Sequence, residues 1–103
     1  MAYISTLRFQ IKTGRAHEIE TLLKERLVPV RQELIVRGDV LAQTVVRAEE
    51  PGDTYEMITA WASKEAHDRH EDSAAERAGA AAAAPYLAAP PVELTGPPIA
   101  DLP

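Results

Sequence analysis

The chain is predicted to be an α+β protein of the ferredoxin-like kind, a four-stranded antiparallel sheet in the order β-α-β-β-α-β with both helices on one face. Three observations carry this. Residues 2–12, AYISTLRFQIK, alternate in two sets, Tyr3, Ser5, Leu7, Phe9 and Ile11 against Ala2, Ile4, Thr6, Arg8 and Gln10, the period of a strand. Residues 15–38 repeat apolar side chains at helical spacing. Residues 40–48 and 54–61 are two strand-like runs joined by Glu49-Glu50-Pro51-Gly52-Asp53, a turn signal that pairs them as a hairpin.

After the first strand, Thr13-Gly14 breaks the pattern, and Thr13 is placed to cap the next helix. That helix buries Ile19, Leu22, Leu23, Leu27, Val30 and Leu34 and turns Glu18, Glu20, Lys24, Glu25, Arg26, Arg31 and Glu33 to water. Pro29 lies inside it and should kink or split it. Gly38 ends it. After the hairpin, Ser63 is the N-cap of a second helix that runs through an alanine tract to Ala84 and stops before Pro85. Val92–Thr95 is a short edge strand between prolines. Residues 1–96 form one domain and residues 97–103 a tail, swapped onto a neighbour or disordered. With both helices on one face, the other face of the sheet is bare. It carries Ile4, Val40, Ala42, Val46, Ile58 and Ala60, and a partly apolar, uncovered sheet face needs a cover. A second copy supplies the simplest one, so a homodimer closing into a barrel-like body is expected.

Composition narrows the function. A net charge of −5 argues against nucleic acid and against an anionic membrane surface. The absence of cysteine excludes disulfide scaffolds, thiolate metal sites and cysteine nucleophiles. No run of about 18 apolar residues is present, and the N-terminus lacks the apolar core of a signal peptide, so a cytoplasmic protein is expected.

The chemistry concentrates between Thr54 and Arg77. Tyr55, Met57, Thr59 and Trp61 share a face of the third strand. On the helix after it, Lys64, Glu65, Asp68, Glu71, Asp72 and Glu76 form a wet arc. The opposite arc holds small residues together with His67, His70 and Arg77, and no large aliphatic side chain. Such a face suits the wall of a polar cavity better than a core. His67 and His70 are three apart and share a face. A third metal ligand is not evident, because Glu71 falls on the wet arc and His17 is distant; no metal is expected. A neutral imidazole suits proton abstraction near neutral pH, which makes His67 the candidate base and His70 its relay or orienter. Arg77 and Arg47 are candidates to stabilise an anion. Tyr55 is a candidate wall residue or alternate proton donor.

The stretches TAWASKEAHDRHEDSAA and APYLAAPPVELTGPP, with FQIKTG, LVPVRQE and the W-x-S-x-E-A run from Trp61 to Ala66, resemble the antibiotic-biosynthesis monooxygenase family of the dimeric α/β-barrel superfamily. The resemblance covers nearly the whole chain. It implies cofactor-free oxygenation: molecular oxygen as co-substrate, and a polycyclic aromatic phenol or anthrone of polyketide type oxidised to a quinone. It also implies that Trp61 hydrogen-bonds a substrate oxygen and that Arg77, in Ser73-Ala74-Ala75-Glu76-Arg77, assists. The chain departs from the family where His67 replaces a tyrosine, Arg47 a histidine and Met57 an asparagine; Arg47, Tyr55 and Met57 remain candidate substrate contacts. Haem degradation elsewhere in the superfamily uses a strand asparagine, and this chain has none. The rival functions are a non-oxidative polyketide cyclase or isomerase on the same scaffold, and a non-catalytic small-molecule-binding subunit.

Overall fold

The computed structural model describes residues Ala2 to Ala100. Its sheet has the strand order β2-β3-β1-β4, all neighbours antiparallel, from β1 (Tyr3–Gln10), β2 (Val40–Arg47), β3 (Thr54–Trp61) and β4 (Val92–Gly96). This is the expected ferredoxin-like α+β fold. The hairpin of β2 and β3 forms as the turn signal required, and β1 lies centrally, with Tyr3 opposite Trp61 and Phe9 opposite Tyr55.

The first helical stretch divides into α1 (Ala16–Leu22), a π-helical turn (Leu23–Leu27) and α2 (Val28–Val36). Pro29 accounts for the division: it cannot donate a backbone hydrogen bond, and the wider turn just before it absorbs the missing one. Thr13 does not cap α1. The N-cap is Arg15, with no side-chain cap, and Arg15 Nη1 instead reaches Glu18 at 3.3 Å. Gly38 ends α2 with φ +83°, as the amides of Gly38 and Asp39 bond back to the carbonyls of Ile35 and Leu34. That left-handed closure favours glycine.

The second long helix differs more. It breaks into α3 (Lys64–Glu71) and α4 (Ala74–Ala83). Ser63 caps α3, accepting from Ala66 N at 3.1 Å, and Ser73 caps α4 in the same way, accepting from Glu76 N at 3.1 Å. A serine that binds an amide three residues on opens a helix rather than continuing one.

Between sheet and helices lie two buried clusters. One joins Phe9, Ile11, Ile19 and Tyr55; the other joins Leu34, Val40, Trp61 and Ala66. Tyr86 and Leu87 tie the first shut, through Lys12 N to Tyr86 O at 2.8 Å and Ala88 N to Gln10 O at 2.8 Å. The other sheet face is bare and partly apolar, with Val46, Ile58, Val92 and Leu94 exposed beside the Arg8–Glu56 ion pair. Val40 is not on it: a β-bulge between Val40 and Ala42 changes the register, and Val40 turns inward and is buried. The expected tail begins where β4 ends, and residues 101–103 lie outside the described part.

Candidate functional site

β3 delivers Trp61 at its end, and the Ser63 cap starts α3 over it, so that Ala66, His67 and His70 turn inward and are buried. His67 meets the indole edge-on at 5.4 Å between ring centroids, His70 lies tilted over it at 5.5 Å, and Tyr3 touches His67 at 5.3 Å. Opposite, α2 brings Arg31, whose guanidinium carbon is 5.2 Å from the Trp61 ring centroid. A small cavity of about 20 Å³ lies among Ser5, Arg31, Met57, Trp61, His70 and Glu93. That volume holds about one water.

The polar atoms of this site are unevenly satisfied. Trp61 Nε1 donates to Ser5 Oγ at 2.9 Å, so the indole donor is occupied from within the protein. His70 Nε2 pairs with Glu76 Oε2 at 3.0 Å. The imidazole holds the Glu76 carboxyl below the usual range, against the opposing pull of burial. His67 Nδ1 lies 2.9 Å from Asp68 Oδ1. A carboxylate only accepts, so this nitrogen carries the proton and Nε2 presents its lone pair in the neutral ring. His67 Nε2 is buried without a hydrogen-bond partner, 3.4 Å from Glu71 Oε1 and 4.0 Å from Glu93 Oε1. Arg31 Nε and Nη1 are also buried without partners. Burial pulls the Arg31 guanidinium down from its ordinary pKa, while Glu76 and Glu71 oppose that shift. Burial, then the neighbouring Glu71, pushes the Glu93 carboxyl up.

Of the residues singled out from sequence, Trp61, His67, His70 and Met57 come together here. Arg77 does not. It is exposed, and Nη1 donates to the Asp72 carbonyl at 2.8 Å. Its placement on the histidine face assumed one continuous helix, and the break at Asp72-Ser73 resets the angular count. Arg47 lies at the other end of the sheet, donating to Gly52 O at 2.6 Å and to Glu20 Oε2 at 3.2 Å. Tyr55 is buried in the first core cluster, stacked on Phe9 at 5.3 Å and 4°, with its hydroxyl donating to Glu20 Oε2 at 2.7 Å. Burial, then Glu20, pushes its pKa up to about 12. Neither reaches the cavity. Glu71 does not turn away from His67 as the wet arc implied. The two are four apart, one turn of α3, and face each other.

Four participants were not singled out. Arg31 is buried rather than on the wet face, and Leu27, Arg31 and Leu34 stand at the i, i+4, i+7 spacing of one stripe. Glu76 is legible in Ser73-Ala74-Ala75-Glu76, the capping-box pattern of a new helix start. Glu93 and Ser5 have no local signal; strand pairing alone brings them near.

A sequence profile described as "Antibiotic biosynthesis monooxygenase" matches residues 2–82. Among curated proteins, none matches the chain. Solved structures are similar at low identity. A Caulobacter crescentus protein superposes with TM-score 0.84 at 18% identity, over 96% of this chain and 91% of that one. Rv0793 from Mycobacterium tuberculosis gives 0.82 at 17%, over 98% of each chain. An asparagine-to-alanine mutant of SnoaB, a cofactor-independent oxygenase from Streptomyces nogalater, gives 0.78 at 16%, over 99% and 97%. The structural likenesses establish the shared fold, and the profile spans most of the sequence: the chain belongs to the antibiotic biosynthesis monooxygenase family.

Proposed function

We propose that the protein is a cofactor-independent monooxygenase that oxidises a polycyclic aromatic phenol or anthrone of polyketide type to a quinone. Family membership supports the reaction class, and the description of SnoaB supports the absence of a cofactor. The observation that carries the reading is the buried, unpartnered Nε2 of His67 beside the indole of Trp61. Asp68 fixes the tautomer, so this lone pair is free to take a substrate proton. The anion so formed needs donors, and Arg31 Nε–H and Nη1–H are unused. Arg31 therefore takes the role expected of Arg77. His70, held by Glu76, orients the indole side of the site. In the net reaction an anthrone methylene loses two hydrogens and gains one oxygen of O2; the other oxygen leaves as water. The substrate supplies the electrons.

A water-sized cavity does not admit an aromatic ring system. Binding therefore requires an element to move. β4 is the candidate, a five-residue edge strand that carries Glu93. The bare face bearing Val46, Ile58, Val92 and Leu94 is the proposed contact with a second copy. Among the described residues no helix is long and apolar enough to cross a membrane.

Oxygen uptake with an anthrone or naphthohydroquinone under ¹⁸O2 tests the reaction. One labelled oxygen in the product is expected. An isomer of unchanged composition would mark the cyclase instead, and binding without turnover the non-catalytic subunit. His67→Ala should lower turnover by about 100-fold or more and leave binding in place. Unaltered turnover would remove His67 as the base.

A further inference from the structure

We infer that His67, Glu71 and Glu93 form a binding site for a first-row divalent transition-metal ion of the zinc or manganese class at the rim of the cavity. One donor atom from each residue lies within 4.8 Å of the other two. Metal–ligand bonds of about 2.1 Å place neighbouring donors about 3.0–3.4 Å apart and opposite ones about 4.2 Å apart. The distances of 3.4 Å from His67 Nε2 to Glu71 and 4.0 Å to Glu93 lie in that range.

Two further observations point to an ion rather than to a chance meeting of acids. His67 is 6% exposed, and the nitrogen aimed at the two carboxylates has no hydrogen-bond partner. Its other nitrogen is held by Asp68 at 2.9 Å. Carboxylate to imidazole to metal is the arrangement that fixes a ligating histidine and strengthens its lone pair. Tyr3 and Trp61 clamp the same ring. The donor mixture selects the ion: an imidazole with two carboxylates suits zinc or manganese, whereas magnesium and calcium prefer oxygen alone. Three protein ligands leave a coordination position open. Arg31 lines the same cavity as Glu71 and Glu93, and its positive charge opposes a cation there, so the site belongs to the weak, exchangeable kind.

This goes beyond the proposed oxygenation. An ion on Nε2 occupies the lone pair that reaction requires, so the metal would inhibit a reaction that needs none.

Calorimetric titration of the metal-free chain with Zn(II), Mn(II) and Mg(II), without substrate, tests the site. One Zn(II) or Mn(II) per chain and no response to Mg(II) are expected. Glu93→Gln and Glu71→Gln should each weaken binding at least tenfold, and Asp68→Asn should do so through the histidine alone. Circular dichroism confirms that each variant folds. No binding up to millimolar metal would overturn the proposal, as would equal affinity in the wild type and in folded Glu93→Gln and Glu71→Gln. The readout is binding alone, so it stands or falls separately from turnover.

Discussion

The layer between sheet and helices has two ends built from similar material and put to different use. At one end Phe9 and Tyr55 stack face to face over Ile11 and Ile19, and the single polar atom, the Tyr55 hydroxyl, is paired with Glu20. At the other end Trp61 is surrounded by two imidazoles and a guanidinium, with three nitrogens among them buried and unpartnered. The first end satisfies what it buries. The second leaves donors and a lone pair unspent, each at a cost of about 1–3 kcal/mol. Such a deficit is tolerated where a ligand completes it, which is why the Trp61 end is read as the site and the Tyr55 end as the anchor.

The largest effect is expected at the anchor. Phe9→Ala removes one ring of the stack and should destabilise the chain by about 3–5 kcal/mol in denaturant titration. Arg31→Met at the other end should change stability by less than about 1.5 kcal/mol, because the gain from removing orphaned donors offsets the lost ion attraction. A loss as large as that of Phe9→Ala would erase the contrast between the two ends.

Acid should distinguish them next. Glu76 has a folded-state pKa held below its ordinary 4.5 by His70. Its contribution is therefore present above about pH 4.5 and is lost as pH falls through the lower folded value. Glu76→Gln should flatten the acid limb of the stability curve. An unchanged limb would show that the His70–Glu76 pair does not hold the site together. The smallest effect belongs to Arg77→Ala. An exposed side chain bonded to one carbonyl should alter stability by under about 0.5 kcal/mol and leave turnover unchanged. A large loss of turnover would return Arg77 to the site.

Sheet and helix order were legible because each strand and helix carries its own periodicity. The inward face of β3, from Tyr55 to Trp61, followed from alternation alone. Arg77 and Val40 leave the faces expected of them for one reason: the backbone resets beside each, and regular periodicity does not carry across the reset. Ser73 restarts a helix and moves Arg77 outward; the bulge beside Val40 turns that residue inward.

The residue sequence by itself determined the α+β class, the hairpin, the Ser63 cap that turns the imidazoles of α3 inward, and the closeness of both rings to Trp61. These depend on interactions within a few residues of one another. Tertiary structure alone decided that Arg31 would lie over the indole, that Ser5 would occupy its donor, and that Glu93 would meet Glu71 and His67. Those contacts join residues from distant parts of the chain, and only strand register and helix docking bring them within a few ångströms.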